Sequence, residues 1–274
     1  MPSHLEAAIE ISLAAGNLLR YHFERRSLEG QSGYDLKTEF NLVTEADRAS
    51  EKLVVERLRE YFPSHSIQAE EGGGQECASE YRWYVDPLDG TTNFAHGYPI
   101  WSVTMALEKA GELIVGVVFD PTRNELFACE KGAGAFLNGR RIHVSRVDSL
   151  AKSLTCTGFP NDNRSNSANI HYFYQLTVES HGVRRAGSAA LDLASTACGR
   201  LDAFWEGGLS PWDLAAGKLL VTEAGGACTD TLGRPHSMKS VDILTDNGLL
   251  HEEILTRFAE IKRGEVLQTM PGPG

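Results

Sequence analysis

The sequence predicts an α+β fold built in layers, and three observations predict it. Apolar residues at helical spacing open the chain, short strands divided by turn signals follow from about Tyr81, and beyond residue 150 strand and helix candidates take turns.

Leu5, Ala8, Ile9, Ser12, Leu13, Gly16 and Leu19 mark a first amphipathic helix, and Ala46, Ala49, Leu53, Val54 and Leu58 mark a second after Thr44. Tyr81 to Val85, Ser102 to Glu108, Leu113 to Phe119 and Leu126 to Cys129 are short apolar or alternating runs. Between them stand Lys109-Ala110-Gly111-Glu112 and Asp120-Pro121-Thr122-Arg123-Asn124, so the spacing predicts an antiparallel meander. Further on, strands are expected at Ser153 to Thr157, Ala203 to Trp205, Ala227 to Thr229 and Val241 to Leu244. Helices are expected at Asn166 to Glu179, Ala189 to Cys198, Trp212 to Glu223 and Leu249 to Ile261. The chain thus divides into lobes 1–149 and 150–263. The tail 264–274, ending Pro271-Gly272-Pro273-Gly274, has no apolar face and is expected to be disordered.

Composition excludes some functions. The 274 residues are 42% hydrophobic and 23% charged, enough for a sizeable core. A net charge of −11 without a basic run would repel nucleic acid. Five scattered cysteines with no Cys-x-x-Cys argue against a disulfide framework and a zinc site, and read as reduced cytosolic thiols. No basic leader and no long apolar window is present, so a soluble cytoplasmic protein without a membrane partner is expected.

The densest chemical signal is Asp86-Pro87-Leu88-Asp89-Gly90-Thr91-Thr92-Asn93-Phe94, directly after the strand Trp83-Tyr84-Val85. A strand ending in Asp86, a turn, and a helix starting at Gly90 would gather two carboxylates beside backbone N–H groups that suit an anion. Two carboxylates repel each other and repel a phosphate, unless a divalent cation lies between them. Oxygen ligands alone, with no His or Cys in the motif, favour Mg²⁺. Glu70-Glu71, before Gly72-Gly73-Gly74, and Asp213, in Ser210-Pro211-Trp212-Asp213, are further acidic candidates. Asp86 and Asp89 also fit an Asx turn, Glu70 fits a solvated loop, and Asp213 and Asp47 fit helix caps. Spacing alone leaves both sets of roles open.

At these residues the chain resembles the inositol monophosphatases, lithium-sensitive, metal-dependent phosphatases. Asp86 to Phe94 resembles the family's first signature. Pro211-Trp212-Asp213-Leu214-Ala215-Ala216-Gly217 with Glu223-Ala224-Gly225-Gly226 resembles the second. The likeness extends through Asn41 to Asp47, Glu70-Glu71, Gly132 to Gly139 and Gly187 to Ala190, nearly the whole chain except the tail.

The resemblance implies a layered αβαβα sandwich, and a homodimer. It implies that Glu70, Asp86 and the Leu88 carbonyl hold one Mg²⁺, that Asp86, Asp89 and Asp213 hold a second, and that a third, looser ion sits near Glu70. A water near Glu70 would be activated through Thr91 and Asp47. The N–H groups of Gly90 and Thr91 would hold phosphate oxygens, and Asp89, Ala189 and Glu206 would meet the hydroxyls of the substrate. Lys37 lies near the position of a basic residue that approaches the site in relatives, and the loop 159–164 has no assignable role. The expected substrate is a small phosphomonoester, foremost myo-inositol monophosphate. Fructose bisphosphate, histidinol phosphate and NADP phosphatases share the fold, and a non-catalytic interaction scaffold is the reading from another class. His96 and Trp101 are expected to serve packing or loop order, since no His pair has ligand spacing.

Overall fold

A computed structural model of the protein describes residues 2–29, 35–38, 41–159, 169–265 and 269, with the side chains of 26–29, 35–38 and 41–43 left aside. The chain opens with α1 (His4–Glu29), longer than its apolar spacing predicts, and Ala8, Ile11, Ala15 and Leu19 on it are fully buried. A small hairpin, β1 (Asp35–Thr38) and β2 (Asn41–Val43), leads into α2 (Glu45–Tyr61). Thr44 caps α2: its hydroxyl accepts the Asp47 N–H at 3.3 Å while the Asp47 carboxylate accepts the Thr44 N–H at 2.8 Å.

The first sheet follows in sequence as β3 (Ser66–Ala69), β4 (Tyr81–Asp89), β5 (Ser102–Lys109), β6 (Glu112–Asp120), β7 (Glu125–Glu130), β8 (Gly134–Leu137) and β9 (Arg140–Ile142), paired in that order. A five-residue helix, α3 (Thr91–Ala95), interrupts it after β4. All pairs are antiparallel except β3 with β4. Helices α1 and α2 cover one face, where Trp83, Val85, Val103, Met105, Leu107, Val115 and Val117 stand at alternate positions. Gly16 lets α1 come close, because a Cβ there would lie 2.4 Å from the Phe119 ring.

The second half adds β10 (Leu154–Thr157), α4 (Asn169–Glu179), β11 (Gly182–Arg184), α5 (Ala189–Ala197), β12 (Ala203–Gly207), α6 (Pro211–Glu223), β13 (Ala227–Thr229), β14 (Asp242–Asp246) and α7 (His251–Lys262). Its sheet is ordered β11-β10-β12-β14-β13, with β10 parallel to both neighbours and β14 antiparallel to both of its own. Helices α5 and α6 lie between the sheets, joining Tyr84, Ala106, Val118 and Phe127 of the first to Phe204 and Ile243 of the second. On the far side Tyr172, Leu176, Ile254 and Phe258 of α4 and α7 cover Trp205 and Leu244. The layers are therefore α1 and α2, first sheet, α5 and α6, second sheet, α4 and α7: the αβαβα sandwich that the resemblance implies.

The meander is found where the alternation places it. Strand β4, however, does not end at Val85 but runs to Asp89, and β8 and β9 widen the sheet beyond the expected strands. The first three residues of the expected helix Asn166 to Glu179, and the tail apart from 264, 265 and 269, lie outside the described residues. All five cysteines are free thiols. Among the described residues no helix is long and apolar enough to cross a membrane.

Candidate active site

The site begins with an irregularity in β4. In a regular strand residues three apart point to opposite faces. Here Asp86 pairs with Thr104 and Asp89 with Ser102, three steps on one strand against two on its neighbour, so one extra residue is inserted at Pro87-Leu88. Pro87 has no N–H to give the ladder, which makes this the natural place for the bulge. The bulge brings Asp89 back to the side of Asp86, and both line a cleft of about 890 Å³. Gly90 then caps α3 at φ 94°, where a Cβ would stand 2.9 Å from the Ile100 carbonyl oxygen, so only glycine fits.

Glu70, Asp86, Leu88, Asp89, Gly90, Thr91, Ala189, Glu206 and Asp213 all line this cleft, although they come from both halves of the chain. Asp86 accepts the Leu88 N–H at 2.9 Å, the Asx turn that its spacing allows, and is hydrogen-bonded also to Glu70 and Asp213. Burial, then the charges of Glu70, Asp89 and Asp213, push its carboxyl well above the usual range. Asp213 accepts the Ser210 N–H at 2.7 Å as a helix cap and still faces the cleft, and burial together with Asp89 pushes it up to about 8. The cap and the cleft thus share one side chain. Asp89 is also raised by burial, against donors from Ser188, from the Ala190 N–H at 3.0 Å and from Ser102 at 3.3 Å.

Asp47 does not line the cleft but sits behind it. The Thr91 hydroxyl lies 2.9 Å from Asp47 Oδ1 and 3.1 Å from the Leu88 carbonyl, one proton with two acceptors. Burial raises the Asp47 carboxyl to about 6, against the hydrogen bonds from Thr44 and Thr91. Trp101 is fully buried against Phe94 at 5.1 Å and serves packing, whereas His96 is exposed at the end of α3. Lys37 falls in β1, its side chain outside the described set, and of the loop 159–164 only Phe159 is described.

Several residues of the site carry no sequence signal. Glu51, on α2, reads as part of a solvated face, yet its two oxygens accept the N–H groups of Glu71 at 2.6 Å and Gly73 at 2.7 Å and hold the loop after Glu70. Replacing Glu51 by alanine leaves two loop donors without an acceptor and is expected to weaken Mg²⁺ binding about tenfold, the scale of supporting residues at metal sites. An unchanged affinity in a calorimetric titration would contradict that role. Ser102, Asp192 and Arg185 are the others.

The donor set fits a hard cation. The carboxyls of Glu70, Asp86, Asp89 and Asp213 line one cleft with Leu88, and the two most deeply set, Asp86 and Asp89, are not ion-paired with any lysine or arginine among the described residues. Among the described residues no three Asp, Glu, His or Cys side chains are already closed around an ion-sized point. The carboxyls meet instead through shared hydrogen bonds. Buried carboxyls raised by one another's charge gain most from a divalent ion.

A layered sandwich with an all-oxygen acidic cleft at the bulge of β4 defines a class of phosphatases, and comparison with known proteins agrees. The sequence model of the Inositol monophosphatase family matches residues 2–263. An inositol-1-monophosphatase of Synechocystis is 44% identical over 261 residues, covering 93% of this chain and 88% of that protein. A protein of Pseudomonas aeruginosa named Nus factor SuhB is 43% identical over 262 residues, covering 93% and 96%. The solved structure of inositol monophosphatase from Anabaena superposes with a TM-score of 0.84 at 42% identity, covering 94% of this chain and 96% of that one. The chain belongs to the inositol monophosphatase family. It is a phosphatase of a family that is generally Mg-dependent.

Proposed function

We propose that the protein hydrolyses a small polyol phosphate, foremost myo-inositol monophosphate, to the free polyol and phosphate. The observation that carries this reading is the convergence of Glu70, Asp86, Asp89 and Asp213 with Thr91 in one cleft. Glu70, Asp86 and the Leu88 carbonyl would hold one Mg²⁺, and Asp86, Asp89 and Asp213 a second. Bound there, Mg²⁺ supplies positive charge that makes water a usable nucleophile near neutral pH and offsets the charge of the phosphoryl and leaving oxygens.

The chain's own groups do the rest. Glu70 and Thr91 position the attacking water, whose proton passes to the Thr91 oxygen as Thr91 gives its own to Asp47. The Gly90 and Thr91 N–H groups hold the phosphate oxygens as the new O–P bond forms opposite the ester bond that breaks. Asp89, Ala189 and Glu206 orient the alcohol, and its alkoxide takes a proton from solvent.

Phosphate release from inositol 1-phosphate, fructose 1,6-bisphosphate, histidinol phosphate and NADP in the presence of Mg²⁺ tests the substrate. Inositol 1-phosphate is expected to give the highest kcat/KM; preference for another of the four would overturn the choice. The name of the Pseudomonas relative gives the scaffold reading an observation of its own. Mg²⁺ binding without turnover of any phosphomonoester would favour that reading.

A further inference from the structure

We propose that Asp192 is a further substrate-binding residue, which with Glu206 forms a two-carboxyl clamp for hydroxyl groups of the leaving alcohol. This inference rests on the phosphatase reading and extends it to the class of alcohol.

Asp192 is the one charged residue of α5, in the run Ala189-Ala190-Leu191-Asp192-Leu193-Ala194, and a single acid there reads as the polar side of a helix. It is instead 4% exposed and lines the cleft. Its carboxyl takes no hydrogen bond from a described residue, although buried polar groups are almost always paired. Glu206, 7% exposed at the end of β12, lines the same wall and likewise receives no donor from the described residues. Glycine at 158 is what lets it lie there, since a Cβ on Gly158 would come within 2.1 Å of the Glu206 carboxylate. Burial comes first among the causes that raise both carboxyls, and each is raised by a neighbouring carboxyl and lowered by Arg185 at the cleft edge.

Two carboxyls that take no hydrogen bond from a described residue thus line the same cleft as Gly90 and Thr91. A phosphate is repelled by these carboxyls and belongs on the N–H groups of Gly90 and Thr91. Carboxyl oxygens accept hydrogen bonds, and the Arg185 guanidinium offsets part of the charge of this pair, which suits neutral hydroxyl donors. The alcohol that fits brings at least two hydroxyls, one for each carboxyl.

The test compares wild type, Asp192→Ala and the isosteric Asp192→Asn, each with Mg²⁺ and each checked by thermal melting. The probes are inositol 1-phosphate, p-nitrophenyl phosphate, whose leaving group has no further hydroxyl, and O-phosphoethanolamine, which offers an amine. Asp192→Ala is expected to lower kcat/KM on inositol 1-phosphate about tenfold or more, the worth of a hydrogen bond to a charged group, and to change p-nitrophenyl phosphate by less than about twofold. Asp192→Asn, which keeps one acceptor, should fall between. Parallel losses on both esters, no loss on either, or a loss greatest on O-phosphoethanolamine would overturn the clamp. Wild type that hydrolyses none of the three would overturn the phosphatase reading, and the clamp with it.

Discussion

Asp86→Asn is expected to lower kcat by about 10³-fold or more while leaving the protein folded, because several kcal/mol of charge stabilisation at the reacting phosphate depends on the ion held there. Asp86 is 2% exposed, and its pairings with Glu70 and Asp213 put it at the centre of the carboxyl group. Asparagine keeps the acceptor for the Leu88 N–H, so the turn itself survives. It also removes a buried carboxyl whose raised titration costs stability above the ordinary carboxylate range. In EDTA the variant is therefore expected to melt at a higher temperature than wild type, and in Mg²⁺ at a lower one. A purely structural Asp86, serving only the turn, would give neither the crossing of melting temperatures nor the loss of rate.

Asp47→Asn should act differently, since Asp47 lies behind the cleft and, among the described residues, reaches it through Thr91. The expected result is a fall in kcat of about 10²- to 10³-fold, the usual range for losing a general base, with Mg²⁺ affinity retained. The pH profile gives the sharper signature. Burial raises the Asp47 carboxyl to about 6, and only the carboxylate can take a proton from Thr91. Wild-type kcat should therefore rise with pH through about 6 and fall away below it. Asp47→Asn should lose that limb, and Thr91→Val should reach the same low rate, with the double variant little slower than either because the two act as one unit. Multiplicative losses, or a limb that survives in Asp47→Asn, would show that the proton goes elsewhere.

The fold was legible wherever a period of 2 or 3.6 was clean. Strands β5 to β7 alternate between turns that break them, and Thr44 marks the start of α2 with its own cap. The end of α1 was not legible, because beyond Leu19 Phe23 continues the apolar spacing for one turn among Arg20, Tyr21, His22, Glu24 and Arg25. Strands β8 and β9 are short and sit among glycines and arginines, so pairing with β7, not propensity, makes them strands.

The same division runs through the site. Asp86 to Phe94 stood out because several rare requirements crowd into nine residues, but the bulge that aligns Asp86 with Asp89 depends on register with β5, which no local pattern records. Glu51 is one of five acids on α2 and Asp192 the one acid on α5, and neither differs in sequence from a residue of a solvated face. Only the approach of the loop after Glu70 to one, and of the cleft to the other, gives them meaning.

Calorimetric titration of Mg²⁺ into the wild-type protein and Asp86→Asn at neutral pH is the most direct measurement. Wild type should bind with release of protons, because carboxyls raised by burial must ionise to take the ion, and Asp86→Asn should bind much more weakly. Equal binding by the two proteins, or no binding by wild type, would contradict a cation centre built on these carboxyls.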